Sequence, residues 1–264
     1  MIWFAGYLLL GAVAGFFAGL LGVGGGAIMV PVLALLFAAQ GFPEAHLMHL
    51  ALGTSMAAIV FTSLSSLRAH HRHGAVRWPI VRAITPGILL GTFIGAQLAS
   101  VMPTRPLAIF FAAFMSYVAF QLFANVKPKP SRRLPGRWGM FAVGSVIGAV
   151  SALAAIGGGT MSVPFMLWCN VKMHEAIGTS AAIGFPIALA GTAGYLLGGW
   201  HAEGLPAGSL GFVHLPALAA CVAMSMLTAP LGAKAAHRLP VAKLKRIFAV
   251  VILLLLAKLL HGLL

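Results

Sequence analysis

The sequence predicts an all-α polytopic membrane protein that consists of two inverted repeats of about five helical segments each. Three observations support this prediction: the composition, a duplicated glycine-rich motif, and the positions of the basic loops. Of the 264 residues, 61% are hydrophobic and only 8% are charged, with a mean hydropathy of +1.01. Soluble domains carry about 25% charged residues. A chain this apolar belongs in a bilayer, where a crossing helix needs about 20 apolar residues.

The duplicated motif is a glycine run inside an apolar segment. Gly24-Gly25-Gly26 in the sequence GVGGGAIMVPVL aligns with Gly157-Gly158-Gly159 in IGGGTMSVPFML, and Pro31 aligns with Pro164 at the same spacing. Irregular backbone persists in a bilayer only where it is buried in protein or lines a wet cavity. Matching breaks in two halves of a chain point to a transport site. We therefore expect glycine-broken or re-entrant helices that meet at the membrane centre.

Two further matches support the duplication. The heptapeptide HLALGTS at 49–55 and the heptapeptide HEAIGTS at 174–180 share five of seven residues. A weaker match relates Gly95-Ala96-Gln97 to Gly232-Ala233-Lys234. The repeat is far longer than a solenoid unit and has the size of a transporter half.

The apolar segments divide into two series of five around a basic linker. The first segment has no basic leader and is expected to be retained as a helix. The segments that follow the glycine runs are short for a full span, so half-helices are expected there. The predicted segments are 2–21, 27–40, 46–67, 79–100 and 104–124, then 138–156, 160–171, 174–198, 212–234 and 244–263. The domain prediction is a first membrane repeat at 1–125, a cytoplasmic linker at 126–137 and a second repeat at 138–264.

The basic residues predict the orientation. Fourteen of the seventeen Lys and Arg residues lie in three stretches, 68–82, 126–137 and 234–246, which are expected in the cytoplasm because cytoplasmic loops are enriched in Lys and Arg. Loop 199–211 carries neither and is expected outside. Its counterpart in the first half is the basic stretch 68–82, so the two repeats are predicted to be inverted.

A helix that starts at a glycine exposes N–H groups in its first turn, and its dipole places roughly half a positive charge there. Such an end binds anions without a charged side chain. Nearby hydroxyl groups add donors. The alternative is that the glycines only permit tight helix crossing and the hydroxyls bond to their own helices. The predicted substrate-binding residues are Gly24, Gly25, Gly26, Thr54, Ser55, Gly157, Gly158, Gly159, Thr160, Ser162, Thr179 and Ser180.

Acidic residues are almost absent, which favours an anionic substrate over a cation. The three are Glu44, Glu175 and Glu203, and there is no aspartate. Cation transporters usually place carboxylates within the membrane. Candidate groups for proton coupling are Glu175, His49 and His174, with interfacial placement as the alternative for each. No cofactor and no metal site are predicted, and nucleic acid is not an expected partner, because the basic residues sit in short loops between apolar runs.

Two other functions stay open at this point. The histidines at 70, 71 and 73, and the pair His46 and His49, are candidates for a divalent metal-ion permease. A membrane enzyme or assembly factor with purely structural glycine breaks is the second alternative. No Gly-x-Ser-x-Gly elbow, HExxH motif or intramembrane Asp pair is present, so no enzymatic activity is predicted.

With these residues in view, the sequence resembles the sulfite exporter TauE/SafE family of membrane permeases. The resemblance covers nearly the whole chain. It rests on the glycine pattern that ends at Gly24-Gly25-Gly26, the A-x-G-T-S steps at 51–55 and 176–180, the basic linker and the second GGG-x-x-x-V-P. It implies a multi-pass protein of the bacterial inner membrane that exports sulfite, organosulfonates or related oxyanions and carboxylates. Substrate, coupling ion and homo-oligomerisation stay open.

Overall fold

The computed structural model describes residues 2–21, 25–124, 130–236 and 241–263. Gly24 and linker positions 126–129 therefore lie outside the described residues. The described part contains ten α-helices, one 3-10 turn at Glu44–His46, and a hairpin of strands β1 (Ser209–Leu210) and β2 (Val213–His214). The helices are α1 (Ile2–Leu21), α2 (Gly26–Ala39), α3 (Leu47–Arg72), α4 (Trp78–Val101), α5 (Thr104–Ala124), α6 (Arg137–Ala154), α7 (Gly159–Trp168), α8 (Met173–Gly198), α9 (Leu215–Ala236) and α10 (Val241–Leu263).

The structure is that of an all-α polytopic membrane protein, as the composition predicts. Seven helices of the described ranges are long and apolar enough to cross a bilayer. By contrast, α2 has 14 residues and α7 has 10, which is about 21 Å and about 15 Å of helix at 1.5 Å per residue. Neither length covers a hydrocarbon core of about 30 Å.

One predicted boundary is wrong. The charge pattern predicts a loop over the basic stretch 68–82, but α3 continues to Arg72 and α4 begins at Trp78. The turn after α3 is made at Gly74, whose φ of 66° suits a glycine, and the N–H of Ala75 donates to the carbonyl of His70. A helix can extend beyond the membrane into polar residues when a glycine turn of this kind provides hydrogen bonds for the carbonyl groups of its last turn. The connecting loop is only 73–77.

Small residues bring pairs of helices from opposite halves into contact. Along α1 and α9, Gly11 lies on Cys221 and Gly15 on Ser225, so these helices run parallel. Helices α4 and α6 are also parallel, and glycines on successive turns of α4 contact residues of α6. These pairs are Gly87 with Phe141, Gly91 with Ser145 and Gly95 with Ala149. In each case a Cβ on the glycine would meet backbone of the facing helix. These close approaches are typical of membrane helix packing.

The central pair of helices is α3 and α8, and α3 is the most buried of the seven spans. Successive contacts join Gly53 to Tyr195, Met56 to Gly191, and Ser63 to Gly184. Because residue numbers rise on one helix as they fall on the other, α3 and α8 are antiparallel. Both glycine-capped helices pack on this pair, α2 against α3 and α7 against α8.

Candidate functional site

The glycine runs form the start of α2 and of α7 with the same geometry. The residues before the helices, Gly25 and Gly158, have φ of 75° and 79° and offer no side-chain cap. A residue with a Cβ is strained in this left-handed conformation. In both helices the cap carbonyl accepts two N–H groups, those of Ile28 and Met29 in α2 and of Met161 and Ser162 in α7. The earlier N–H groups of each first turn are not capped by a side chain.

The two breaks meet in the structure. A Cβ at Gly26 would collide with the carbonyl oxygen of Ala155, the residue that ends α6 just before the second glycine run. Ala155 itself has φ of 46°, a conformation that non-glycine residues adopt rarely and often at functional sites. The carbonyl of Gly157 lies against Gly184 on α8. The first break therefore touches the second, and both lie against the central helix pair.

Of the predicted hydroxyl residues, Thr160 is buried in the first turn of α7, and the other five separate into three groups. The Oγ1 of Thr54 accepts a hydrogen bond from the N–H of His214 at 2.9 Å, and the Oγ1 of Thr179 accepts one from the N–H of Arg77 at 3.0 Å. Each threonine thus holds a loop of the opposite half. Ser162 donates to Ser180 at 2.8 Å, which ties the first turn of α7 to α8.

Ser55 forms the third group by itself. It is fully buried, and its hydroxyl has no hydrogen-bond partner among the described residues. Ser55 is the counterpart of Ser180, and the position that corresponds to Ser162 is occupied by Met29. The first half therefore lacks the side chain that satisfies the equivalent serine in the second. A buried hydroxyl without a partner costs roughly 1–3 kcal/mol, so a ligand that bonds to it recovers that free energy.

The three coupling candidates occupy different environments. His49 on α3 is buried, its Nε2 lies 3.0 Å from the carbonyl of Met102, and its Nδ1 has no partner in the described part of the chain. Glu175 on α8 lies 3.5 Å from the guanidinium of Arg77 and is partly exposed. His174 is exposed.

None of the three glutamates is buried. Glu44 and Glu203 are exposed, and Glu175 is paired with Arg77. A bare cation at the meeting point of the breaks would therefore find carbonyl and hydroxyl oxygens but no carboxylate. The helix N-termini there carry positive partial charge, which further disfavours a cation.

The histidine alternative finds no support in the described ranges, where no group of three His, Cys, Asp or Glu residues is placed to hold a metal ion. His70 and His71 belong to the last turn of α3 rather than to a loop. The Nδ1 of His73 bonds to the carbonyl of Ala69 at 2.7 Å, and His71 faces the indole of Trp78.

Sequence reasoning missed the loop residues that dock on the Gly-Thr steps. A signal was present: residues 75–79 (AVRWP) and 212–216 (FVHLP) share a valine and a proline at the spacing that separates Gly95 from Gly232. It also missed Ala155, for which no sequence signal exists, because alanine at a left-handed position follows from packing alone.

Comparison with known proteins identifies the chain. Residues 7–259 match the family model described as sulfite exporter TauE/SafE. A probable membrane transporter protein of Haemophilus influenzae is 38% identical over 244 residues, which is 92% of each chain. The probable membrane transporter protein YdhB of Bacillus subtilis is 27% identical over 245 residues, or 90% of each chain. No solved structure matches the chain. The protein is a multi-pass membrane transporter rather than an enzyme, and it belongs to the sulfite exporter TauE/SafE family.

Proposed function

We propose that this transporter is a secondary carrier of small anions, such as sulfite, organosulfonates and related oxyanions or carboxylates, and that it exports them across the bacterial inner membrane. The observation that carries the proposal is the contact of the start of α2 at Gly26 with Ala155, just before the second glycine run, together with the unpartnered hydroxyl of Ser55. Ser55 lies one helical turn before Ile59, which contacts Gly26. This arrangement offers several donors and no carboxylate.

The balance of forces favours an anion. Each helix N-terminus stabilises a negative charge by roughly 0.3–2 kcal/mol, depending on burial. The low dielectric of the interior strengthens both contributions relative to water. A cation at the same place would feel these fields with the opposite sign. Thr160 and Ser180 extend the donor set on the side of α7, because Ser180 accepts a hydrogen bond from Ser162 and keeps its own hydrogen, whereas the corresponding part of α2 is apolar.

The inverted-repeat architecture is part of the proposal. Helices α1 to α5 correspond to α6 to α10, and the packing of α1 on α9 has its counterpart in the packing of α6 on α4. The antiparallel crossing of α3 and α8 agrees with a two-fold axis in the membrane plane. The cytoplasmic positions of 73–77, the linker and 234–246 follow from their basic residues. If the carrier couples transport to protons, His49 is the best candidate for the coupling group, because its Nδ1 is buried and has no partner within the described ranges.

Ligand-dependent thermal stabilisation of the purified protein tests the proposal. A ligand that binds only the folded state raises its stability in proportion to the logarithm of concentration. We expect sulfite or a related oxyanion to raise the melting temperature progressively once its concentration exceeds the dissociation constant, and Zn²⁺, Ni²⁺ and Co²⁺ to have no specific effect. A stabilising response to a metal ion that is lost when the histidines at 70, 71 and 73 are removed, together with no response to any anion, would replace the proposal with the metal permease.

A further inference from the structure

Two loops are held on the central helices in the same way at opposite ends. At one end, the lack of a side chain at Gly53 lets the carbonyl of Phe212 contact α3. The Oγ1 of Thr54, the next residue, accepts a hydrogen bond from the N–H of His214. We term this contact the outer latch, composed of Gly53, Thr54 and residues 212–214. The carbonyl and the N–H are two residues apart in the loop. The glycine permits the approach and the threonine fixes the loop.

The second contact repeats this arrangement with the halves exchanged. Gly178 admits the carbonyl of Ala75, and Thr179 accepts the N–H of Arg77. We term it the inner latch, composed of Gly178, Thr179 and residues 75–77. Each latch joins a loop of one half to the central helix of the other half. A latch that opens therefore separates the two halves at that end.

The latches flank the meeting point of the glycine breaks. On α3, Thr54 lies five residues before Ile59, which contacts Gly26. On α8, Thr179 lies five residues before Gly184, which contacts Gly157. Five residues of helix span about 7.5 Å. Because α3 and α8 are antiparallel, one latch lies on each side of the breaks, and both are closed in this structure.

The two latches differ in chemistry. Arg77 of the inner latch pairs with Glu175 at the half-exposed surface. His214 of the outer latch is buried, and its ring packs against Tyr7, Phe37 and Phe42 at centroid distances of 6.1, 5.4 and 5.2 Å. These three rings are apolar apart from the phenol oxygen of Tyr7, and a backbone hydrogen bond with Ala207 partly offsets the effect of burial on the pKa of His214.

The outer latch requires neutral His214. Its Nδ1 accepts the N–H of Ala217 at 3.4 Å, in the first turn of α9, so protonation there would set a donor against a donor at the positive end of a helix. The other titratable groups nearby are Tyr7, Cys221 about two turns along α9, and His46 and His49, which both pack on Phe212. None of these is an acid that would compensate an imidazolium charge.

We propose that the two latches are the gates of the transport cycle, that they open alternately, and that His214 makes the outer gate the one that acid opens. The inference rests on the proposed transport function but on different residues. Burial lowers the pKa of His214 in the closed latch. A histidine with a lowered pKa leaves the closed state fully stable at pH above the ordinary histidine pKa, and this stability is lost as the pH falls from there through the lowered pKa. Acidification of the outer side therefore favours an open outer gate.

Cysteine accessibility tests the gates without any substrate, so its outcome is independent of whether the anion is identified. With Cys169→Ser and Cys221→Ala as background, Ser55→Cys reports on the position directly below the outer latch, and Ser180→Cys on the position below the inner latch. A membrane-impermeant maleimide is added to right-side-out or inside-out vesicles. Thr54→Val should raise outside labelling of the first reporter about fivefold, the shift expected from loss of one hydrogen bond. Thr179→Val should do the same for the second reporter from the inner side.

The controls separate a gate from ordinary packing. Thr54→Ser retains the hydroxyl and should label like the parent. Thr192→Val on α8 removes a hydroxyl that bonds only within its own helix, to Ala188, and should also leave labelling unchanged. Increased labelling from both sides, or no increase in either latch variant, would show that the latches are structural contacts and would overturn the inference.

The pH arm tests His214. The pH is lowered from about 7.5 to about 5.5, a range that spans the ordinary histidine pKa. Outside labelling of the Ser55→Cys reporter should then rise about fivefold relative to labelling of an exposed Glu203→Cys reporter. The second reporter corrects for the effect of pH on thiol ionisation. His214→Asn retains an acceptor for the N–H of Ala217 but does not titrate, so it should abolish the rise. A rise that persists in His214→Asn, or no rise in the parent, would overturn the role assigned to His214.

Discussion

At the scale of the residue, hydroxyls of one chemical type have different functions because their partners differ. Thr54 and Thr179 accept hydrogen bonds from loop N–H groups, and Ser162 donates one to Ser180. Ser55 alone among these buried hydroxyls has no partner in the described part of the structure. We therefore propose that the threonines hold the loops that close the site and that Ser55 binds the anion that enters it.

Replacement of Ser55 by alanine should weaken the anion response. Since we propose that the unpartnered hydroxyl donates a charge-assisted bond to the anion, its loss should raise the anion dissociation constant about tenfold or more, in line with roughly 1.5–3 kcal/mol for such bonds. Thermal stabilisation against anion concentration measures the shift. The stability of the unliganded protein should not fall, because no partner loses a bond. An unchanged dissociation constant would place the ligand elsewhere.

Gly26→Ala should separate the two breaks. The added Cβ would collide with the carbonyl of Ala155, and overpacking of this kind costs about 1–3 kcal/mol. We expect a lower melting temperature and loss of anion binding. Gly136→Ala is the matched control, since nothing lies within 4 Å of its added Cβ. Equal behaviour of the two variants would contradict the close contact between the breaks.

At the scale of the element, the sequence predicts the ten helical segments because hydrophobic length and glycine or proline punctuation determine them. It does not predict that α3 extends to Arg72, since charge marks the edge of the membrane but not the end of a helix. The Gly-Thr steps are visible as motifs, yet their role in docking loops depends on which helices cross, and crossing is a property of the tertiary packing.

The ion pair between α8 and the start of α4 gives a prediction at this scale. Glu175 and Arg77 are partly exposed, with side-chain exposures of 22% and 49%. Pairs of this kind contribute about 0–1 kcal/mol. Glu175→Gln should therefore lower the free energy of unfolding by less than about 1 kcal/mol and should leave the pH dependence of transport unchanged. A lost or displaced pH profile would instead assign proton coupling to Glu175.

At the scale of the whole molecule, the predicted inversion of the two halves awaits a direct test. Single cysteines at Leu205 and Pro130, each in the background without native cysteines, should be labelled from opposite sides of the membrane. We expect an impermeant maleimide to modify position 205 from outside and position 130 only from the cytoplasmic side. Labelling of both positions from the same side would exclude the inverted arrangement.

The general architecture is predictable from the sequence, whereas the contacts of the proposed site are not. The duplicated glycines and the scarcity of carboxylates are enough to favour an anion carrier. The contact between Gly26 and Ala155, the unpartnered hydroxyl of Ser55 among the described residues and the caged His214 depend on how distant segments pack. Such contacts leave no periodic pattern in a single sequence, since they form between segments that are far apart in the chain.

We propose that anions cross this protein through the site between the glycine breaks. Flux into proteoliposomes, measured for sulfite and a panel of oxyanions, carboxylates and divalent cations, tests this proposal. We expect saturable flux of at least one small anion, reduced about tenfold or more by Ser55→Ala at subsaturating substrate, abolished by Gly26→Ala, and unaffected by Gly136→Ala. Flux of a divalent cation with no flux of any anion, or anion flux that both site variants leave intact, would contradict it.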